Sequence, residues 1–235
     1  MYNKTKIMTV AALAGAVIVA AGCGTTVVSS PSQTAPNPAS SSQTASPSES
    51  AQASRTPGPR PVSYSGVGSK VLKISKGSDP MAVKITHVGS SNFAVTNLSS
   101  DGQEIDLLVN TIGNYSGTRL IDALNEQQTA AFKIEADGNW RVTLEPLSML
   151  PVWHGTGTWT GRGDNIVLIG SGSFAGLDSV KITNSGQGNF VVTAYGDTVD
   201  LLVNEIGNYS GEQLMPDGTV LLEIQSDGTW TLHKA

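Results

Sequence analysis

Acid–base chemistry near neutral pH usually draws on histidine, and the chain has three: His87, His154 and His233. The sequence is internally repeated. His87 aligns with Asn184 and His233 with Thr143, while His154 lies in the connector between the copies. None is shared, and none has a sequence neighbour suggesting a metal pair or a triad, so surface or structural roles are expected. A Ser–His–Asp set is a spatial arrangement and is not excluded by the pattern, but no nucleophile motif supports one. The shared carboxylates are Asp106/Asp200 and Asp137/Asp227. Calcium takes about six to eight oxygens, and no Asp-rich loop of that kind occurs, so no metal or cofactor is expected. A weak cation site in the acidic second copy stays open.

Other patterns carry a bland reading beside a sharper one. Arg162-Gly163-Asp164 spells an adhesion tripeptide but aligns with Val67-Gly68-Ser69, so the common element is a turn glycine. Asn97, Asn114 and Asn208 open Asn-X-Ser triplets, the N-glycosylation pattern, which has meaning only where the source modifies it. Trp140 and Trp230 alternate with apolar positions and read as core. Trp153 and Trp159 could form an aromatic platform for a sugar or seal the junction between the copies.

The single cysteine is Cys23, which rules out a disulfide within the chain and any Cys-rich zinc site. Before it, Lys4 and Lys6 precede an apolar run from Ile7 to Ala21, shorter than the roughly twenty residues of a membrane span and shaped like an export signal. The run closes on Ala20-Ala21-Gly22-Cys23, which resembles the lipobox of bacterial lipoproteins. That resemblance implies cleavage after residue 22, a diacylglyceryl group on Cys23 and, usually, an acylated new amino terminus. Together these would hold the protein firmly on the outer face of the cell membrane.

Residues 24–61 hold seven of the eleven prolines, fifteen Ser or Thr, and no aromatic residue. Such a segment cannot bury enough apolar area to offset its ordering entropy, and reads as a disordered stalk reaching roughly 30–40 Å as a coil. Stalks of this composition are also plausible O-glycosylation substrates. Beyond it, residues 151–235 carry three basic against nine acidic groups. That imbalance repels a phosphate backbone and disfavours nucleic acid as a partner.

Four blocks recur in order. Ser65–Ile74 matches Thr160–Ile169, Val83–Val95 matches Val180–Val192, Asp106–Gly117 matches Asp200–Gly211, and Lys133–Leu144 matches Glu223–Lys234. This is tandem duplication of a domain-sized unit, giving a first repeat over 62–150 and a second over 151–235. Short runs alternate apolar and polar residues, as in Val83-Lys84-Ile85-Thr86, with Gly-containing turns between them. The expected fold is all-β: two tandem antiparallel β-sandwiches, jelly-roll-like or immunoglobulin-like. Asp137-Gly138 and Asp227-Gly228 read as hairpin turns. The helix-like pattern Thr118–Gln128 has no counterpart and reads as a loop or at most one turn.

The best-kept block is Asp-Leu-Leu-Val-Asn-X-Ile-Gly-Asn-Tyr-Ser-Gly, identical at eleven of twelve positions. Its first half reads as a strand buried on both faces and its second as a tight turn. Tyr115 and Tyr209 could pin the loop backbone through their hydroxyls, as in a tyrosine corner. Alternatively, Asn110, Tyr115 and Ser116, with Asn204, Tyr209 and Ser210, form a binding loop presented twice. Signal, stalk and duplication together resemble the tandem-module lipoproteins of Gram-positive bacteria, actinobacteria among them. The leading expectation is a non-enzymatic envelope protein binding cell-wall glycan or another envelope protein. A structural spacer or surface shield is the alternative, followed by a carbohydrate-binding or hydrolytic role.

Overall fold

The computed structural model describes residues 60–235. The signal peptide, the proposed lipid acceptor Cys23 and the stalk up to residue 59 lie outside the described residues.

Residues 62–146 form eight strands: β1 (Val62–Val67), β2 (Lys70–Lys73), β3 (Met81–Val88), β4 (Asn92–Leu98), β5 (Glu104–Ile112), β6 (Tyr115–Ile121), β7 (Ala131–Glu135) and β8 (Asn139–Pro146). They pair in two antiparallel sheets, β1-β8-β3-β6 and β2-β7-β4-β5. First pairs with last, second with seventh, third with sixth and fourth with fifth, the winding of a jelly roll. A 3₁₀ turn at Leu147–Met149 and the short β9 (Val152–Trp153) lead into the second copy. There β10 (Thr158–Arg162), β11 (Asn165–Ile169), β12 (Ser179–Ser185), β13 (Asn189–Tyr195), β14 (Val199–Ile206), β15 (Tyr209–Leu214), β16 (Leu221–Gln225) and β17 (Thr229–Lys234) follow. Their sheets are β10-β17-β12-β15 and β14-β13-β16-β11-β9, the same winding plus β9 beside β11 in parallel. The all-β double sandwich expected from the repeats is therefore found, and jelly roll is its type.

Alternation explains each core. Val83, Ile85, Phe93, Val95, Phe132, Ile134, Trp140, Val142 and Leu144 point between the first pair of sheets. Val180, Ile182, Phe190, Val192, Leu222, Ile224, Trp230 and Leu232 do so between the second. Each Trp ring lies under a glycine of the neighbouring strand. A Cβ on Gly66 would stand 2.3 Å from the Trp140 ring, and one on Gly161 would stand 2.1 Å from Trp230. Each indole N–H donates to a turn carbonyl at 2.9 Å, Trp140 to Gly68 and Trp230 to Gly163.

Three sequence expectations are corrected. Asp137-Gly138 and Asp227-Gly228 are not hairpin turns, because β7 and β8 lie in opposite sheets, as do β16 and β17. At these corners the glycine is required by close packing. A Cβ on Gly138 would meet the Val88 carbonyl at 1.9 Å, and one on Gly228 the Ser185 carbonyl at 2.3 Å. Each Asp staples the adjacent loop, Asp137 accepting from the Ser90 and Ser91 amides and Asp227 from those of Gln187 and Gly188. Next, the stretch read as loop or turn from Thr118 starts as strand: Thr118–Ile121 completes β6, whose counterpart is β15. Finally, Leu-Leu-Val is not buried on both faces. β5 and β14 are edge strands. A bulge at Val95/Thr96 and at Val192/Thr193 breaks the alternation. In β5 the extra residue lets Leu108 and Val109 both face the core while Leu107 turns outward.

Candidate functional site

Two features stand out from the packing: a buried charged cluster between the sandwiches, and the solvent side of the twelve-residue block.

The cluster begins at β6. Arg119 is opposite Val83 and so points inward, at the open side between β5 and β6. Its Nε donates to Glu223 Oε1 at 2.9 Å and its Nη1 to the Leu108 carbonyl. Glu223 belongs to β16 of the other sandwich. It also accepts from the Leu120 amide at 3.1 Å and from the Tyr195 hydroxyl at 3.2 Å. Asp164 approaches Arg119 at 3.9 Å, and accepts from the Tyr115 hydroxyl at 2.7 Å and the Ser226 amide at 2.9 Å. A backbone bond from the Thr118 amide to the Asp164 carbonyl, 2.9 Å, ties the strands directly. Beside this cluster Ala82, Leu120, Ala123 and Leu147 of the first copy pack on Ile166, Leu168 and Leu221 of the second.

Burial and partners set the electrostatics. Burial raises the Asp164 carboxyl above the usual carboxylate range, against the opposing pull of Tyr115 and Arg119. Burial also works against the charge on Arg119, but Glu223 and Asp164 more than offset it, so the guanidinium is held more firmly protonated than usual. Tyr115 and Tyr195 are pushed well up, first by burial and then by Asp164 and Glu223 respectively. Every group here is paired inside the protein, so the cluster is a clamp with no free position for a substrate.

Sequence reading missed this clamp and took Asp164 only as part of Arg-Gly-Asp. With its carboxylate 14% exposed, Asp164 is unsuited to an adhesion contact. The available signal was difference between copies: Arg119 aligns with Gln213, Asp164 with Ser69, Glu223 with Lys133 and Tyr195 with Leu98.

The twelve-residue block divides into two sets. One set builds the fold. Gly113 and Gly207 take φ of +87° and +86°, a conformation glycine adopts cheaply. Tyr115 and Tyr209 lie over the glycine two residues on: a Cβ on Gly117 would stand 2.4 Å from the Tyr115 hydroxyl, and one on Gly211 2.2 Å from that of Tyr209. Neither is a tyrosine corner, because the hydroxyls bond elsewhere. Tyr115 donates to Asp164 and Tyr209 accepts from Gln213 Nε2 at 2.8 Å. The other set points away from the core. Leu107 and Leu201 are 50% and 59% exposed, Ile112 and Ile206 are 78% and 77% exposed, and Asn110, Asn204, Ser116 and Ser210 are exposed too. Of the residues expected in a binding loop, the Asn and Ser pairs are accessible and the Tyr pair is half-buried and engaged.

Histidine reaches a near-constellation at one corner only. Ser90 Oγ donates to Asp137 Oδ2 at 3.2 Å, and His87 Nε2 lies 3.4 Å from Asp137 Oδ1. The carboxylate therefore stands between serine and histidine, whereas activation of a serine needs the imidazole in the middle. His87 is a turn pin: its Nδ1 donates to the Gly113 carbonyl at 2.7 Å, and its ring stacks on Phe93 at 4.1 Å. Asn184 makes the same bond to Gly207 at 2.8 Å in the second copy. His154 and His233 are exposed and far apart in role, with His233 within 3.3 Å of the Thr158 hydroxyl.

The aromatic platform does not form. Trp153 is 2% exposed within the second core, tilted against Phe174 at 5.4 Å, so it has no face to offer a sugar. Trp159 packs half-buried on the same core. Among the described residues no group of three or more His, Cys, Asp or Glu could hold a metal ion.

No protein-family model matches the chain, and no curated protein matches it in sequence.

Proposed function

We propose that the chain is an envelope lipoprotein, anchored through Cys23 and a stalk, whose two jelly rolls bind a cell-wall glycan or envelope protein without catalysing a reaction. One observation carries the reading. The fold accounts for Leu108, Val109, Gly113, Tyr115 and Gly117 and their counterparts, yet the solvent-facing Leu107/Leu201, Asn110/Asn204, Ile112/Ile206 and Ser116/Ser210 are identical as well. Exposed positions are free to drift at little cost in stability. Large aliphatics held at identical exposed places on two bulged edges are what a surface presented twice to one kind of ligand requires. Two weak copies on one rigid body then gain by avidity.

The test compares residues 60–235 with a variant carrying Leu107→Ser, Ile112→Ser, Leu201→Ser and Ile206→Ser. Both should unfold at the same denaturant concentration, and only the parent should be retained on isolated cell envelope. Equal retention, or none by the parent, refutes the reading. The spacer reading draws on the clamp, which joins the two sandwiches into one stiff unit. If that is the role, an unrelated rigid domain on the same stalk preserves the cellular phenotype.

A further inference from the structure

The first sandwich holds a second buried ion pair, which shares no partner with the clamp. Lys76 lies in the β2–β3 connection and Asp122 just after β6, and Lys76 Nζ stands 2.6 Å from Asp122 Oδ2. Their side chains are 3% and 0% exposed. Every other lysine–carboxylate pair found among the described residues is open to water: Lys133 with Glu104 and Glu135, and Lys234 with Asp178, are 30% exposed or more on both sides. Only at Lys76 is an amine pressed against a carboxyl group in a dry site.

The surroundings are arranged around this contact. Two backbone carbonyls receive hydrogens from Lys76 Nζ, Gly77 at 2.8 Å and Asp79 at 3.1 Å. An uncharged amine has two hydrogens, so with both engaged its lone pair is left for the remaining direction, that of Asp122. Asp122 is fixed at φ +59°, a left-handed conformation unusual for a residue with a Cβ. Its Oδ1 accepts from the Thr129 hydroxyl at 2.8 Å, and the Thr129 amide is shared between Oδ1 at 3.0 Å and Oδ2 at 3.1 Å. Thr129 is itself held by Asn97 Nδ2 at 2.9 Å. The hydroxyl aimed at Oδ1, with the shared amide beside it, stabilises the charge that develops on that oxygen when the carbon is attacked, and fixed proximity supplies the orientation.

We propose that Lys76 and Asp122 join in an intramolecular amide bond. A proton passes from the ammonium to Oδ2 along the 2.6 Å contact. Nζ then attacks Cγ, and charge collects on Oδ1 under the Thr129 hydroxyl and the shared amide. The second proton leaves nitrogen for the departing oxygen, the Cγ–Oδ2 bond breaks, and one water is released as the Nζ–Cγ amide forms. The reaction is a condensation with no change of oxidation state, so no oxidant, reductant or further reactant is needed. The product ties the β2–β3 connection to the segment after β6 in a chain whose lone cysteine allows no internal disulfide. The second copy has no such pair: no lysine follows β11 before β12.

This inference is independent of the ligand-binding proposal. Its test is the intact mass of folded residues 60–235, which contain every described strand and both cores, after prolonged incubation at neutral pH. The parent should be lighter than its sequence by one water, and a digest should yield one branched peptide linking Lys76 to Asp122. Lys76→Arg and Asp122→Ala should have their full sequence masses, and Asp122→Asn should lose ammonia instead of water. A parent at full sequence mass, with linear peptides covering both residues, overturns the proposal whether or not any variant folds.

Discussion

Replacing Arg119 with Ala probes the clamp most directly, because it removes the only cation of the cluster and leaves two carboxylates of the opposite sandwich in place. Lost are the 2.9 Å bond to Glu223, the bond to the Leu108 carbonyl and the 3.9 Å approach to Asp164. Stripping one partner from a buried ion pair typically costs about 3–5 kcal/mol. Here Glu223 keeps the Leu120 amide and Tyr195 hydroxyl, and Asp164 keeps the Tyr115 hydroxyl and Ser226 amide. Those four donors place the expected loss at the lower end, about 3 kcal/mol. Equilibrium denaturation of residues 60–235 reads it, and Arg119→Met with Glu223→Gln should recover much of it because charge and counter-charge leave together. The sign of the pH dependence follows from Asp164. Its folded carboxyl is already raised by burial with Arg119 opposing, so removing Arg119 raises it further. A group that binds its proton more tightly when folded destabilises increasingly as pH climbs through the range above the ordinary carboxylate value. The deficit of Arg119→Ala should therefore shrink as pH falls towards that value. A loss below about 1 kcal/mol, the range of a surface pair, or a deficit constant with pH, would refute the buried-clamp argument.

Other perturbations separate the two copies. Tyr115→Phe removes a hydrogen bond to a carboxylate and should cost about 1.5–3 kcal/mol, whereas Tyr209→Phe removes one to an amide and should cost about 0.5–1.5 kcal/mol; equal losses would contradict the divergence between the two tyrosine sites. Gly66→Ala drives a methyl group into the Trp140 ring and should lower stability by about 1–3 kcal/mol through overpacking, with a shift in tryptophan fluorescence. Asp137 is held below the usual carboxylate range chiefly by the Ser90 amide. Its contribution is thus present above the ordinary carboxylate value and lost as pH falls through the lowered one. Asp137→Asn should accordingly flatten the acid limb of a stability–pH curve, and an unchanged limb would sink that assignment.

The jelly-roll strands were legible because one-face burial imposes a period of two, and duplication displayed that period twice. What stayed hidden depended on contacts distant in sequence. Asp137-Gly138 carries the same letters whether the chain turns back within one sheet or crosses to the other. Only the 1.9 Å approach of the Val88 carbonyl shows why glycine is needed. Leu107-Leu108-Val109 mimics a doubly buried strand because a bulge turns two neighbours inward. Arg119 and Glu223 are 104 positions apart and each sits in an ordinary strand, so nothing local announces the pair. Trp153 looked available because it lies in the connector with no counterpart in the first copy, but β9 joins the second sheet and carries the ring into the core.

The interface between the sandwiches also explains why two copies suffice. It is head-to-tail: β6 of the first copy meets β11 and β16 of the second, so the β15 face of the second and the β2/β7 face of the first remain unmatched. Such a contact can repeat without closing. On the unmatched faces Leu214 and Val71, 54% and 57% exposed, keep the apolar character of Leu120 and Ile166. The locking residues are gone. Gln213 stands for Arg119, Ser69 for Asp164, Lys133 for Glu223 and Lys73 for Leu168. A second chain docking in the internal geometry would bury Lys73, and would press Lys133 with its own neighbours Glu104 and Glu135 against a surface that offers no matching Arg, at a desolvation cost of several kcal/mol per ion. Residues 60–235 should therefore remain monomeric at high concentration. The combined change Ser69→Asp, Lys73→Leu, Lys133→Glu and Gln213→Arg restores the lock at both ends and should give species that lengthen with concentration in sedimentation velocity. If the fourfold variant stays monomeric while folded, or the parent already associates through these faces, the charges on the open ends are not what limits the array.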